Sequence, residues 1–435
     1  MIKKSGYVIL GISSFSVLEA LLIGLEYFII FSLVLLFTVI SDILIFNEHR
    51  GRNMDKISVR RTVEERYQRK GKSFPVKLAF SNDSKMPVAF HYYDTLSDVF
   101  TIDGPSQGYM VLKPGESRTL DYVLSSSAIG KYLIGPVIIY SEDAMKLCIK
   151  TLVIEKANEV KISPSLSDIH GIRSDLISNI KFTTGVHRSR IVGQGYNFYG
   201  VRQYTDSDDF RYIAWSRYGL QNGDDIYIKQ MEEERQLDVY FVIDYSSASN
   251  FGSSEARMFD RIVIDSINAG YSVLKNHDGV GFIVFNGSSD YFIKATRSDD
   301  AIQRLERLVA EINPQGRFDL FRSLERISEL IRKNALVLVI TPLSFSEEFN
   351  VPKVSIVPKG KRVTLFFLEP SNFVKLDGRP KSQAALLKSA IIKKNHELNA
   401  ISYMLNRLGL MTYVSSEKDL FRRLVTEYQY GKVVR

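Results

Sequence analysis

The apolar residues of this chain fall into three successive patterns. Residues from about Tyr7 to Ile23 are mostly apolar, Gly24-Leu25-Glu26 interrupt them, and a stronger apolar run follows from Tyr27 to Phe46. Each run is close to the roughly 20 residues a helix needs to cross a bilayer. No small-residue cleavage site separates the runs, so residues 1–50 are expected to form a transmembrane helical hairpin rather than a signal peptide. From Ile57 to Glu155 the period falls to two. Val76, Leu78 and Phe80 alternate with polar or small residues, as do the stretches 120–124 and 132–140. Asn82-Asp83, Asp103-Gly104-Pro105, Lys113-Pro114-Gly115 and Gly135-Pro136 punctuate them as turns, which predicts an all-β sandwich over 57–155. From Leu237 onward, apolar strands (237–244, 280–285, 335–341, 362–368, 411–414) alternate with helical periods (255–275, 299–312, 319–333, 384–408, 418–428). That alternation predicts an α/β domain over 235–435, built on a mainly parallel sheet covered on both faces.

Charge orients the first unit. Lys3 and Lys4 precede the hairpin, and His49, Arg50, Arg52, Lys56, Arg60 and Arg61 follow it, while the turn carries only Glu26. Positive charge on both ends places both termini, and with them the soluble domains, on the cytoplasmic side of a two-pass protein of the cell membrane. Two acids lie within the runs, Glu19 near the outer end and Asp42 near the inner one. Their depths differ by roughly 16 Å at the helical rise, so they do not pair, and interfacial positions are expected for both.

Composition narrows the chemistry. A chain of 435 residues accommodates two or three domains, and 45% hydrophobic with 24% charged residues marks an ordinary folded protein. A single cysteine, Cys148, excludes an intrachain disulfide and a cysteine-based metal cluster. The net charge of +8 is modest for this length, and no interleaved basic–aromatic surface supports nucleic-acid binding.

Residues 156–234 connect the two soluble domains and hold the densest chemistry of the chain, from Gly185 to Asp244. Glycines (Gly193, Gly195, Gly200), aromatics (Tyr196, Phe198, Tyr199, Tyr204, Tyr212, and Trp215, the single tryptophan) and alternating acids and arginines run directly into an apolar strand. Such a mixture is either a surface segment pinned by ion pairs or a recognition surface, because aromatic and Arg side chains dominate interface hot spots.

The segment resembles the signature of the family called domain of unknown function 58, carried by Gly185, His187, Ser189, Gly193, Gly195, Phe198, Arg202, Tyr204, Asp208, Asp209, Arg211, Ile213 and Trp215. Two positions depart from it: Ser207 replaces a glycine, and Ala214 an aspartate. The resemblance implies a membrane hairpin, an immunoglobulin-like β-sandwich and a von Willebrand factor A-like (Rossmann-type) α/β domain. It also implies a MoxR-type AAA+ ATPase as partner, in a role in protein-complex assembly or maturation. The lipid bilayer is the other expected partner.

Asp244-Tyr245-Ser246-Ser247-Ala248-Ser249 ends the first strand of the α/β domain. Ligands of open α/β sheets sit beyond such strand ends, and a carboxylate with hydroxyls can hold Mg or Mn. In von Willebrand factor A domains the site reads D-x-S-x-S, with a Thr and a second Asp from later loops. Here Asp244 and Ser246 remain, Ala248 takes the third position, Gly316-Arg317-Phe318 lacks the threonine, and Pro342 stands at the second acid. The set is degenerate; Asp319 is a possible substitute, and no cofactor is expected. The alternative to cation binding is that Asp244 and Ser246 hydrogen-bond their own loop. No phosphate loop, nucleophile elbow or zinc spacing occurs, and His187, His277 and His396 are scattered. The expectation is a non-enzymatic membrane-anchored adaptor or scaffold. Its rivals are a divalent-cation-dependent ligand binder at Asp244 and a hydrolase using Asp208, Asp209 or Asp244.

Overall fold

Two apolar helices open the chain. α1 (Lys4–Ile23) and α2 (Glu26–Ile45) are each long and apolar enough to cross a membrane. Gly24 ends α1 in the left-handed region at φ 72°, which glycine enters without a Cβ clash, and its N–H donates to the Ala20 carbonyl. The helices bury slender residues spaced one heptad apart, Ser13 and Ala20 on α1 and Ser32 and Val39 on α2, whereas Leu22, Tyr27 and Phe37 face outward. Small residues let two backbones approach where lipid offers no hydrophobic drive. Beyond Ile45 the chain stays helical as a wider turn, Phe46–Gly51, and a last turn, Arg52–Met54, which bury Phe46 and Met54.

The computed structural model describes residues 2–24, 26–63, 67–154, 157–165, 192–217, 226–232, 236–253, 256–287, 289–331, 335–342, 361–374 and 380–433. It divides into two units, Met1–Ser165 with Val309–Asn313, and Leu166–Leu308 with Pro314–Arg435.

The first unit continues as a β-sandwich of β1 (Ile57–Val63), β2 (Tyr67–Arg69), β3 (Ser73–Asn82), β4 (Val88–Asp94), β5 (Phe100–Asp103), β6 (Gln107–Leu112), β7 (Ser117–Ser126), β8 (Gly130–Ile134), β9 (Val137–Glu142), β10 (Ile149–Ile154) and β11 (Asn158–Ser163). Sheets β1-β3-β7-β5 and β10-β9-β4-β6 are accompanied by a short β2-β11-β8 sheet. The period-two pattern does what it promised. Phe74, Val76, Leu78 and Phe80 of β3 share one core with Val88, Phe90 and Tyr92 of β4. β11 lies in the stretch expected to begin the connector, and it pairs with β2 and β8.

Two polar knots hold this core. Asn82, fully buried, donates to the carbonyls of Met86, Leu112 and Lys113 while its Oδ1 accepts from the Ser84 N–H. This ties the start of β4 to the end of β6. Arg61 is the second, and it corrects an expectation. Rather than marking a membrane flank, its side chain is buried and forks onto the Asp94 carboxylate, with Nε at 2.9 Å and Nη2 on the other oxygen. Nη1 donates to the Ile134 carbonyl at 2.7 Å, and the Tyr122 hydroxyl donates to Asp94 at 2.6 Å. Burial first, then this bond to Asp94, pushes the Tyr122 hydroxyl well above the usual tyrosine range. The charge of Arg61 was visible in the sequence; its inward β-strand phase, shared with Ile57 and Val59, was the overlooked clue.

The second unit contains a hairpin, β12 (Val192–Gln203) with β13 (Tyr227–Glu232), and then the α/β domain. Its elements are β14 (Asp238–Asp244), α3 (Met258–Leu274), β15 (Gly279–Asn286), β16 (Ser289–Thr296), α4 (Asp300–Glu311), α5 (Leu320–Leu330), β17 (Ala335–Thr341), β18 (Arg362–Leu368), α6 (Lys381–Arg407), β19 (Met411–Ser415) and α7 (Leu420–Val433). The sheet order is β16-β15-β14-β17-β18-β19, parallel except for β16, an edge strand that sequence periodicity did not separate from its neighbour. Residues of β14, β15 and β17 are buried on both faces, which explains their unbroken apolar runs. On one face Leu324 and Ile327 of α5 and Leu398 and Leu405 of α6 meet Val337, Val339, Leu365 and Phe367. On the other, α3 lies so close that a Cβ on Gly270 would touch Val280, Phe282 and Ile302.

Replacing Asp94 with Ala leaves the Arg61 guanidinium buried without its carboxylate, and should cost about 3–5 kcal/mol in chemical denaturation of the purified chain in detergent. The paired exchange Arg61→Met with Asp94→Leu should recover most of that loss.

Candidate functional site

The signature segment sits on the β12–β13 hairpin. Backbone pairing runs from Val192↔Glu232 to Gln203↔Tyr227, with irregular register between Gly193 and Gly200, around Gly195 and Phe198. Of the matched positions, Gly185, His187 and Ser189 lie outside the described residues, as does the connector from 166 to 191. Met231 and Glu232 end β13, and residues 233–235 lie outside the described residues.

At the end of β12 the chain is pinned by two arginine–aspartate pairs. Arg202 forks onto Asp208, with Nη1 at 2.7 Å and Nη2 on the second oxygen. The same carboxylate accepts from the Thr205 N–H at 2.9 Å and from the Thr205 hydroxyl at 2.8 Å. The Arg202 bond, followed by those of Thr205, holds the Asp208 carboxyl well below the usual carboxylate range. Tyr204, just after the strand, donates its N–H to the Ile226 carbonyl at 2.8 Å. Asp209 caps the next turn by accepting the Arg211 N–H at 3.0 Å, and the Arg211 guanidinium returns to it, with Nη2 at 2.6 Å. That pairing lowers the Asp209 carboxyl too. Ile213 then bridges to Ile228, and Ala214 donates its N–H to the Tyr227 carbonyl at 2.7 Å. Ile213 and Ala214 are buried, and Ala214 brings no charge into that buried position.

This framework leaves the side chains between the pinned positions outward. Phe210 is 71% exposed, Trp215 65% and Tyr212 42%. Arg211 projects beside them with its charge still largely in water. The sequence singles out Tyr212 and Trp215 but not Phe210. A residue between two paired acids and arginines on a short turn has nowhere to bury, and that was the available signal.

The strand-end site of the α/β domain is organised around Asp244, which is fully buried. Oδ1 accepts the Ser246 N–H at 2.9 Å, and Oδ2 accepts the Thr341 hydroxyl at 2.6 Å. Burial raises the Asp244 carboxyl above its ordinary range against the pull of these two donors. Ser246 Oγ is buried and forms no hydrogen bond among the described residues, whereas Ser249 Oγ donates to the Ser246 carbonyl at 2.7 Å. Asp319, the possible substitute ligand, instead caps α5 by accepting the N–H groups of Phe321 and Arg322. Thr341, at the end of β17, is the residue that sequence reasoning missed. Both oxygens of Asp244 have protein donors, and among the described residues no group of three His, Cys, Asp or Glu side chains could hold a metal ion. His277 and His396 are exposed on separate elements, and His187 lies outside the described residues.

The class defined by these features is a chain with two helices able to span a membrane, a β-sandwich, and an α/β domain preceded by an ion-paired aromatic hairpin. Residues 200–356 match the family model described as protein of unknown function DUF58. The match takes in the two ion pairs, Trp215 and the first part of the α/β sheet. Comparison with curated protein sequences finds no match. Among solved structures, an aerotolerance-related membrane protein from Bacteroides fragilis is 17% identical, with 30% of this chain and 67% of that one covered at a TM-score of 0.24. A FixG-related protein from Vibrio parahaemolyticus is 10% identical over 24% of this chain and 95% of its own, at a TM-score of 0.18. Trypsin-activated alpha-2-macroglobulin from Escherichia coli is 16% identical over 25% of this chain and 7% of its own, at 0.21.

Thr341→Val removes the hydroxyl donor and leaves one oxygen of a fully buried carboxylate short of a partner. Stability should fall by about 1–3 kcal/mol in denaturant titration, with membrane association unchanged.

Proposed function

We propose that the chain is a membrane-anchored, non-enzymatic adaptor that recognises a partner protein through the signature hairpin. The hairpin of α1 and α2 crosses the cell membrane twice and leaves both ends and the soluble domains in the cytoplasm. The observation that carries the reading is the exposure of Phe210, Tyr212 and Trp215 around Arg211, on a turn made rigid by the Arg202–Asp208 and Asp209–Arg211 pairs. Rigid aromatic and arginine side chains lose little entropy on docking and supply most interface energy. The same pairs argue against acid–base work by Asp208 or Asp209, since both carboxyls are bound to arginine and held below their ordinary range rather than raised toward neutral pH. The strand order, with Asp244 at the end of a central strand, supports a von Willebrand factor A-like domain. The family resemblance supports a MoxR-type AAA+ ATPase as partner in complex assembly or maturation.

Affinity capture of the full chain from native membranes, with and without ATP, should enrich an AAA+ ATPase whose recovery depends on nucleotide. Trp215→Ala and Arg211→Ala should each weaken that binding by about 2 kcal/mol, roughly 30-fold, while the chain remains in the membrane fraction. Undiminished binding by both variants would remove the signature turn from the interface.

A second reading has one observation in its favour. The buried Ser246 hydroxyl beside Asp244 would complete a divalent-cation site that binds an acidic residue of a partner. The closed Asp244–Thr341 bond favours the hydrogen-bonded form, so thermal unfolding of the purified chain should not shift in millimolar Mg or Mn. A stabilisation abolished by Ser246→Ala would instead establish the cation reading.

A further inference from the structure

The turn between β9 and β10 is fastened to both legs of the helical hairpin. Ile2 forms an isolated bridge with Cys148, the Lys3 N–H donates to the Leu147 carbonyl at 2.7 Å, and Lys3 Nζ pairs with Glu142. Gly6, in the first turn of α1, lies so close that a Cβ there would stand 2.7 Å from the Leu147 carbonyl oxygen. On the other leg, the Met145 N–H donates to the Asp42 carboxylate at 3.1 Å. Asp42 lies three residues before the end of α2. The turn therefore reaches the level where both apolar helices end.

We propose that the β9–β10 turn of the sandwich is itself a membrane-contacting element, with Ala144, Met145 and Lys146 seated in the headgroup layer of the bilayer. This rests on the reading of the hairpin as membrane-spanning. A bilayer with about 30 Å of hydrocarbon leaves several ångströms of polar layer on each side, the depth at which helix ends and their flanking lysines lie. The tip has the matching chemistry. Met145 is 48% exposed, and Ala144 and Lys146 are exposed beside it. Lys146, at φ 57°, sets the turn and forms no ion pair among the described residues, so its ammonium is available to lipid phosphate. The acids of the turn are withdrawn from that surface. Glu142 is paired with Lys3, and Asp143 is buried with its Oδ1 accepting the Cys148 N–H at 2.8 Å. Burial, reinforced by the neighbouring Asp42, raises the Asp143 carboxyl above its ordinary range.

The test uses the full chain with Cys148→Ala as background, reconstituted in phosphatidylcholine–phosphatidylglycerol vesicles. Single cysteines at Phe37 (outward on α2), Met145 and Asp98, at the far end of the sandwich, each carry an environment-sensitive fluorophore. Nitroxide lipids should quench the labels at 37 and 145, and aqueous iodide should quench the label at 98. Quenching at 37 with the label at 145 open to iodide alone would overturn this inference and leave the anchor standing. No lipid quenching at 37 would overturn both. In the unsubstituted chain, peroxide should oxidise Met145 about threefold or more slowly in vesicles than Met86, which is similarly exposed at 46%. Equal rates would count against the inference without any substitution.

Discussion

A carboxylate removed from water calls for donors, and several contacts that fix the packing of both soluble units answer that call. Asp94 is met by the fork of Arg61 and the hydroxyl of Tyr122 in the middle of a β-sandwich. Asp244 is met by a backbone N–H and a threonine hydroxyl from a neighbouring strand. Asp208 and Asp209 stay near solvent and take arginines instead. Location decides what each arrangement contributes. The buried fork fixes the packing of β1, β4 and β7, because losing either partner strands a charge in the core. The exposed pairs add little stability, and their value is in fixing a short turn.

That difference bears on how function is read from the signature. Densely alternating acids and arginines can suggest acid–base chemistry, and in a cleft with burial they could perform it. Here each acid has a cation of its own within hydrogen-bond reach, and both carboxyls are held below their ordinary range. What remains available to another molecule is the aromatic surface the pairs hold outward.

The periodic parts of the fold were legible because burial enforces period. The apolar runs at 335–341 and 362–368 are strands over those same residues, since a strand covered on both faces is built mostly from apolar side chains. β16 escaped because an edge strand with one half-wet face carries a mixed pattern. Arg61 was assigned to the membrane flank because charge alone does not reveal which way a strand residue points. Thr341 and Asp244 lie 97 positions apart, and only the parallel pairing of β14 with β17 brings them together. Periodicity reports neighbours along an element; contacts between strand ends require the topology.

The passage from α2 into the sandwich has a mechanical consequence. Helical structure continues from Glu26 to Met54, and only Asp55 and Lys56 separate it from β1. Lys56 is itself held, its N–H on the Asn53 carbonyl and its own carbonyl accepting the Asp83 N–H. A flexible tether would let a domain sample a hemisphere around its anchor, with a reach growing as the square root of linker length. A joint this short acts as a stiff stalk. A tilt or rotation of the helical pair is passed to the sandwich as a lever passes torque, so the attitude of the domain is set by the anchor rather than by diffusion.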